Sequence, residues 1–325
     1  MTEALPTREA IVATARESIA RGSKSFAAAS LLFDRETRER AWLLYAWCRR
    51  CDDIVDGQDH GHGMRHVADA PARVAEVAAM TEAALAGQVV GDPAFDALRI
   101  VAGETRMPAA FARDLVAGFA LDAEEWRPRS EDDLHRYCYY VAGAVGCMMA
   151  VVMGVPPEDE DTLDRACDLG LAFQLANIAR DIGEDDAAGR CYLPEEWLVE
   201  IDVPPGEQMK PQYRPRLAML AKRLAARAAA FEASARRGTP ALRFRSAWAV
   251  LAAAEIYGAI GRKVAERGER AWDRRVTTGA GEKIGFIARA GMDAARRTTL
   301  YPRTPRDPSL WTRPRISPAA PGPTS

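Results

Sequence analysis

Oxygen-bearing side chains recur every four residues in two separate stretches, CRRCDDIVDG from Cys48 and QLANIARDIGEDD from Gln174, and both stretches otherwise carry a helical pattern. Residues four apart stack on one face of an α-helix. Asp52 and Asp56 therefore form one stripe, with Asp53 beside it, and Asn177, Asp181 and Asp185 form another. Like charges packed this way oppose folding unless something neutralises them. A hard divalent cation such as Mg²⁺ does so, since it takes oxygen ligands and is commonly shared between one or two carboxylates and a substrate phosphate. The chain is thereby constrained to a fold that turns two acidic helix faces toward each other.

The rest of the sequence has the same character. No alternating apolar and polar run reads as a strand, and Ala-, Arg- and Glu-rich segments of helical period are separated by short Gly and Pro breakers, so the fold class is all-α. A first helix is expected over roughly Arg8 to Arg21, stopping at Gly22, followed by a GSKSF loop. Asp34 caps a long helix carrying Trp42, Tyr45, Trp47 and the first acidic stripe as far as Gly57, before a loop QDHGHG. Pro71, Pro93 and Pro108 suit first helical turns, with Asp92 as an N-cap, and Ser130 with Asp133 makes a capping box for a helix through Met153. The second acidic helix covers roughly Asp159 to Asp185, and an exposed turn GRCYLP follows it. Further helices are expected near Gln212 to Arg236, Leu242 to Arg267 and Gly281 to Arg297. With no fixed-period repeat and no internal linker, residues 1–301 read as one domain. From Pro302 proline recurs every few residues among Arg and Ser, so 302–325 is expected to be a disordered tail with solvated arginines.

At 325 residues and 48% hydrophobic the chain can bury a substantial core. Its 44 basic residues against 46 acidic ones, a net charge of −2, leave no electrostatic footprint for nucleic acid. The start, MTEALPTREAIVATARESIARG, carries acids and no signal-peptide core, and no uninterrupted apolar stretch reaches the ~20 residues of a bilayer span. A cytoplasmic protein is expected, and any membrane contact is peripheral. The six cysteines, Cys48, Cys51, Cys138, Cys147, Cys167 and Cys191, mostly sit within helical patterns, as buried thiols of a reducing compartment do.

Acidic stripes that hold divalent ions suit the departure of a diphosphate from carbon, which is fast only where its growing negative charge is neutralised in advance. Arg49, at helical spacing from Asp52 and Asp53, and Arg180, next to Asp181, can complete such a clamp. Small and apolar residues surround both stripes, in VAGAVGCMMAVVMG (Val141 to Gly154) and LGLAFQLAN (Leu169 to Asn177). They read equally as tight helix contacts or as the wall of a hydrocarbon tunnel. A carbocation left behind by ionisation needs a dry cavity and aromatic faces, for which Tyr45, Tyr137, Tyr139, Phe173, Tyr192 and Tyr257 are candidates. Cys48 and Cys51 with His60, His62 and His66 match no standard zinc spacing, and Gly279, Gly281 and Gly285 miss the dinucleotide fingerprint. The serines of GSKSF have no evident triad partners; hydrogen bonding to a phosphate suits them better.

Taken together and in this order, GSKSF, YAWCRRCDDIVD, RYCYYVAGAVG, LAFQLANIARDIGEDD and GRCYLP resemble the squalene and phytoene synthase family, and among its members the bacterial phytoene synthases. The likeness extends from about Arg16 to Tyr301. It implies a single-domain isoprenoid-synthase fold of helices around a central cavity, with the two acidic motifs on opposing helices, and peripheral contact with the inner face of the membrane. Matched by position, it implies Asp52, Asp56, Asn177, Asp181 and Asp185 as ligands of Mg²⁺, with Mn²⁺ as an alternative ion. It implies diphosphate and substrate contacts from Gly22, Ser23, Lys24, Ser25, Tyr45, Arg49, Gln174, Arg180 and Tyr257, and from Arg190 and Tyr192 in a flap-like turn. Catalytic roles fall to Tyr45, Arg49 and the four aspartates.

The implied reaction joins two geranylgeranyl diphosphates head to head through prephytoene diphosphate and ends by proton loss, so no nicotinamide cofactor is expected. Within the same fold, the alternative is a squalene or dehydrosqualene synthase using farnesyl diphosphate, a choice set by tunnel depth. A non-catalytic assembly or lipid-binding member would be expected to lose metal ligands that this chain retains. Oligomeric state is open at this level.

Overall fold

A computed structural model describes residues 6–56, 69–124 and 126–315 of the protein. The QDHGHG loop with His60, His62 and His66, and the chain beyond 315, lie outside the described residues, as do the side chains of Lys24, Ser25 and Asp56. Among the described residues every regular element is helical. In chain order these are α1 (Arg8–Gly22), α2 (Lys24–Ser30), α3 (Arg35–Asp56), α4 (Ala70–Leu85), α5 (Pro93–Thr105), α6 (Ala109–Ala123) and α7 (Glu131–Cys138), followed by α8 (Ala144–Val152), α9 (Glu160–Ala187), α10 (Glu195–Glu200), α11 (Arg214–Arg236), α12 (Phe244–Arg267), α13 (Ala280–Ala295) and α14 (Arg297–Leu300).

Local chemistry explains most helix starts. Asp34 accepts from the Thr37 amide at 3.0 Å and so caps α3, and Asp92 caps α5 ahead of Pro93. Ser130 and Asp133 exchange both bonds of a capping box at the start of α7. Pro108 stands at the N-cap of α6 rather than in its first turn. GSKSF is not a loop: extended backbone at Ser23 breaks the helix, and the Ser23 hydroxyl then accepts from the Phe26 amide at 3.2 Å to start α2. The single helix expected from Ser130 to Met153 is also interrupted, by a π-helical turn over Tyr139–Gly143 between α7 and α8.

One apolar core runs through the molecule, with Trp47 of α3, Phe95 of α5, Phe111 of α6 and Trp197 of α10 fully buried. Each aromatic removes on the order of 150–250 Å² from water. α9 lies at the centre, packed against α8, α11 and α12. Its closeness to α8 and the π-helical turn requires glycine. A Cβ on Gly146 would come 2.3 Å from the Ala166 carbonyl oxygen, and one on Gly170 would come 2.4 Å from that of Ala142.

The expectation of a disordered tail from Pro302 fails over 302–315. This segment returns along the N-terminal half of α9, where Glu160, Asp164 and Asp168 form an acidic stripe of the same four-residue spacing. Arg306 grips both oxygens of the buried Asp168 at 2.6 and 2.9 Å, and Arg315 grips those of Asp164 at 2.7 and 2.8 Å. Arg313 is only 3% exposed and sits 3.0 Å from Asp164. Prolines hold extended backbone without internal hydrogen bonds, so order comes from these pairs, which tail composition alone does not disclose.

Candidate active site

The first acidic motif ends α3. Arg49 donates to Asp53 from Nε at 3.0 Å and Nη2 at 2.6 Å, and its Nη1 lies 3.5 Å from Asp52. Burial works against the Arg49 charge, yet Asp53 and Asp52 outweigh it and hold the guanidinium above its ordinary pKa. One turn earlier, Tyr45 rests against Gly22, where a Cβ would stand 2.4 Å from the tyrosine oxygen, so glycine is what allows this approach. Burial pushes the Tyr45 hydroxyl up to about 12; Arg49 opposes the shift, and Asp52 and Asp53 add to it.

The second motif lies on α9. Arg180 donates to both oxygens of Asp181, 2.7 Å from Nε, and Arg275 approaches the same carboxylate at 3.1 Å. Burial, reinforced by Asp181, pushes the Asp185 carboxyl up to about 7, with Arg190 pulling against it. A carboxyl raised this far marks negative charge crowded where water is scarce. Asn177 contributes a second such sign, since its buried Oδ1 has no hydrogen-bond partner.

GRCYLP is not an exposed turn. Leu193 and Pro194 are buried, Cys191 and Tyr192 are half-buried, and the Arg190 amide donates to the Asp185 carbonyl at 2.8 Å. The Tyr192 hydroxyl donates to Asp122 at 3.0 Å, as does that of Tyr137, and the two rings stack at 4.9 Å. Asp122, near enough to help raise the Asp185 pKa, was missed by sequence reasoning. Its only signal is one of two acids on α6, a weak one.

Between α3, α8, α9 and α12 lies an elongated cavity of about 420 Å³. Ser23, Tyr45, Gln174, Asn177 and Tyr257 line one end of it; Val145, Met149 and Met153 form an apolar flank. The small-residue segments therefore serve both readings, with glycines against neighbouring backbone and valines and methionines toward the cavity. Phe173 stacks on Tyr257 at 4.1 Å inside it, and the pKa of Tyr257 is raised by burial against the influence of nearby Arg180. Asp52 stands one turn past Cys48 and Asp181 one turn past Asn177, and Cys48 and Asn177 both line the cavity. Gly22, Arg49, Arg180, Asp185, Arg190 and Tyr192 do not line the cavity itself.

Among the described residues, no three His, Cys, Asp or Glu side chains converge closely enough to hold a metal by themselves. The donor set still fits a hard cation that takes its remaining oxygens from a bound phosphate: carboxylates, an amide oxygen lacking a partner, and arginines for the phosphate charge. Chemically, the arrangement offers an anion clamp beside an apolar chamber lined in part by aromatic rings. All six cysteines are free thiols, four of them fully buried, as expected.

The family model for squalene/phytoene synthase matches residues 19–282. A 15-cis-phytoene synthase of Enterobacter agglomerans is 46% identical over 90% of this chain and 99% of its own length, and one of Pantoea ananas is 45% identical over 92% and 96%. Among solved structures, a ligand-bound dehydrosqualene synthase superposes with a TM-score of 0.79 at 27% identity, covering 89% of this chain and 98% of that one. A squalene synthase from Alicyclobacillus acidocaldarius shares the fold, with a TM-score of 0.70 at 23% identity over 80% and 95%.

Proposed function

The chain belongs to the squalene/phytoene synthase family, and on that premise we propose that it is a phytoene synthase, a prenyltransferase that condenses two geranylgeranyl diphosphates head to head, through prephytoene diphosphate, to phytoene and two diphosphates. The observation that carries this reading is the junction of a charged mouth with an apolar chamber. Relatives named 15-cis-phytoene synthase, at about 45% identity over nearly their whole length, favour it over the farnesyl-using alternative.

In this reading Asp52 and Asp56 on α3, with Asn177, Asp181 and Asp185 on α9, hold Mg²⁺ or Mn²⁺. Bound there, the ion supplies charge neutralisation to a departing diphosphate. Arg49 and Arg180 orient the diphosphate, and Tyr45, kept protonated by its raised pKa, can only donate to it. The stacked Phe173 and Tyr257 present ring faces to the allylic cation, and the apolar wall keeps water from quenching it. Tyr137 and Tyr192 are held protonated by burial and already donate to Asp122, so neither is a good base. The released diphosphate is the better acceptor for the final proton, and no nicotinamide is needed.

We further read the protein as cytoplasmic and peripheral to the inner face of the membrane, because substrate and product are both greasy. No helix among the described residues is long and apolar enough to cross a bilayer. Purified protein given Mg²⁺ and either geranylgeranyl or farnesyl diphosphate, with and without NADPH, is expected to form phytoene from the former irrespective of NADPH. Squalene or dehydrosqualene as the main product overturns the assignment.

A further inference from the structure

The cavity has a second end, remote from the aspartates, and its closure is unusual. Thr162 and Arg165 line it there, together with Gly238 and Thr239. Along α9 the distance from Thr162 to Asn177 is about 22 Å at 1.5 Å per residue, so these residues are separated from the charged mouth by most of the length of the chamber. Arg165 is a buried guanidinium beside an apolar space, with a side chain only 1% exposed. Each of its three nitrogens donates once: Nε to Asp161 at 3.3 Å, Nη1 to the Ser234 carbonyl at 3.1 Å, and Nη2 to the Thr304 carbonyl.

Thr304 belongs to the C-terminal segment, and the residue before it makes a second link to the same wall. Arg303 donates to the Thr162 hydroxyl at 2.8 Å. Further along, the segment is fastened to α9 by the Arg306–Asp168 and Arg315–Asp164 pairs. Gly238 closes the arrangement from the other side, where a Cβ would stand 3.0 Å from the Arg165 Cβ.

We propose that Arg165, held from behind by the strap 302–315, is the end wall of the hydrocarbon chamber and sets the longest prenyl chain the protein accepts. The proposal rests on the prenyl diphosphate reading above. A chain that fills the chamber meets a cation held by three hydrogen bonds. One isoprene unit more has to displace the guanidinium from two carbonyls and a carboxylate while burying methylenes against charge, and both changes are unfavourable. Length discrimination thus comes from a rigid polar stop rather than from a tapering apolar wall, which discriminates single methylenes weakly.

The test is competition between geranylgeranyl diphosphate and its one-unit-longer homologue, geranylfarnesyl diphosphate, in the full-length protein. Arg165→Ala is expected to raise the kcat/KM ratio of the longer over the shorter substrate by about tenfold or more. Arg303→Ala, which removes the strap's bond to Thr162 without touching the mouth, is expected to move the ratio the same way by a smaller factor. Should Arg165→Ala fail to fold by circular dichroism, Arg165→Met fills the volume without the polar stop and is expected to raise the ratio as well. A folded Arg165 variant with the parental ratio overturns the proposal, and a shifted Arg165 variant beside an unshifted Arg303→Ala overturns the part given to the strap. Parental protein that turns over neither prenyl diphosphate refutes the function reading instead.

Discussion

Asp52 and Asp181 each sit one turn beyond a residue that lines the chamber, and each already has an arginine within ion-pair reach. Replacing either by Ala is expected to lower turnover by on the order of a hundredfold or more, as loss of a preorganised electrostatic group does. The helical circular dichroism signal should be unchanged; undiminished activity refutes the role. Asp185 makes a prediction in pH. Its folded-state pKa, about 7, lies above the ordinary carboxylate value of 3.8 in the unfolded chain. Between these values the native state binds the proton and the unfolded state does not, so stability is full below about 4 and is lost as pH rises toward 7. Chelator-treated protein should therefore melt at progressively lower temperature from pH 5 to pH 7.5, and Asp185→Asn should flatten that slope, by calorimetry. At this scale the four-residue spacing made the aspartates, Asn177 and their arginines legible. Asp122 was not, because an acid outside either stripe acquires meaning only when Tyr137 and Tyr192 arrive from elsewhere in the chain.

Among elements, the close approach of α8 and the π-helical turn to α9 depends on backbone packed against backbone at Gly146 and Gly170. Gly170→Ala places a methyl against a carbonyl that cannot yield, and is expected to cost about 1–3 kcal/mol, read as a lower urea midpoint. Because the same helices wall the chamber, prenyl turnover should fall with it; an unchanged midpoint contradicts the packing account. Helix existence was readable here from periodicity and caps such as Asp34, Asp92 and the Ser130–Asp133 box. The breaks were less so. The helical pattern of RYCYYVAGAVG continues through its π-helical turn, and the seven-residue α2 is too short for a periodic signal. GRCYLP looks like a surface turn, yet its second half is drawn inward because Leu193 and Pro194 are buried.

Over the whole molecule, the C-terminal strap ties the chain end to the central helix. Arg306→Ala leaves Asp168 buried with only Ser234 as donor, a loss expected to cost about 3–5 kcal/mol and to appear in equilibrium unfolding. Stability within about 0.5 kcal/mol of the parent contradicts the strap's structural part. Its order was hidden from composition because both halves of each pair look like ordinary surface charge until α9 and the tail are placed side by side. The all-α architecture was legible, since helical period pervades the chain, whereas the central cavity came from the family resemblance, because the small-residue segments read equally as helix contacts. In the proposed mechanism α3 and α9 close on a single diphosphate at the mouth of that cavity. A crystal structure with Mn²⁺ and inorganic pyrophosphate, using anomalous scattering to locate the ions, tests it most directly. Manganese is expected between the pyrophosphate and carboxylates of both motifs, with Asn177 Oδ1 among the ligands, whereas ions confined to one motif, or pyrophosphate bound away from both, rule this mechanism out.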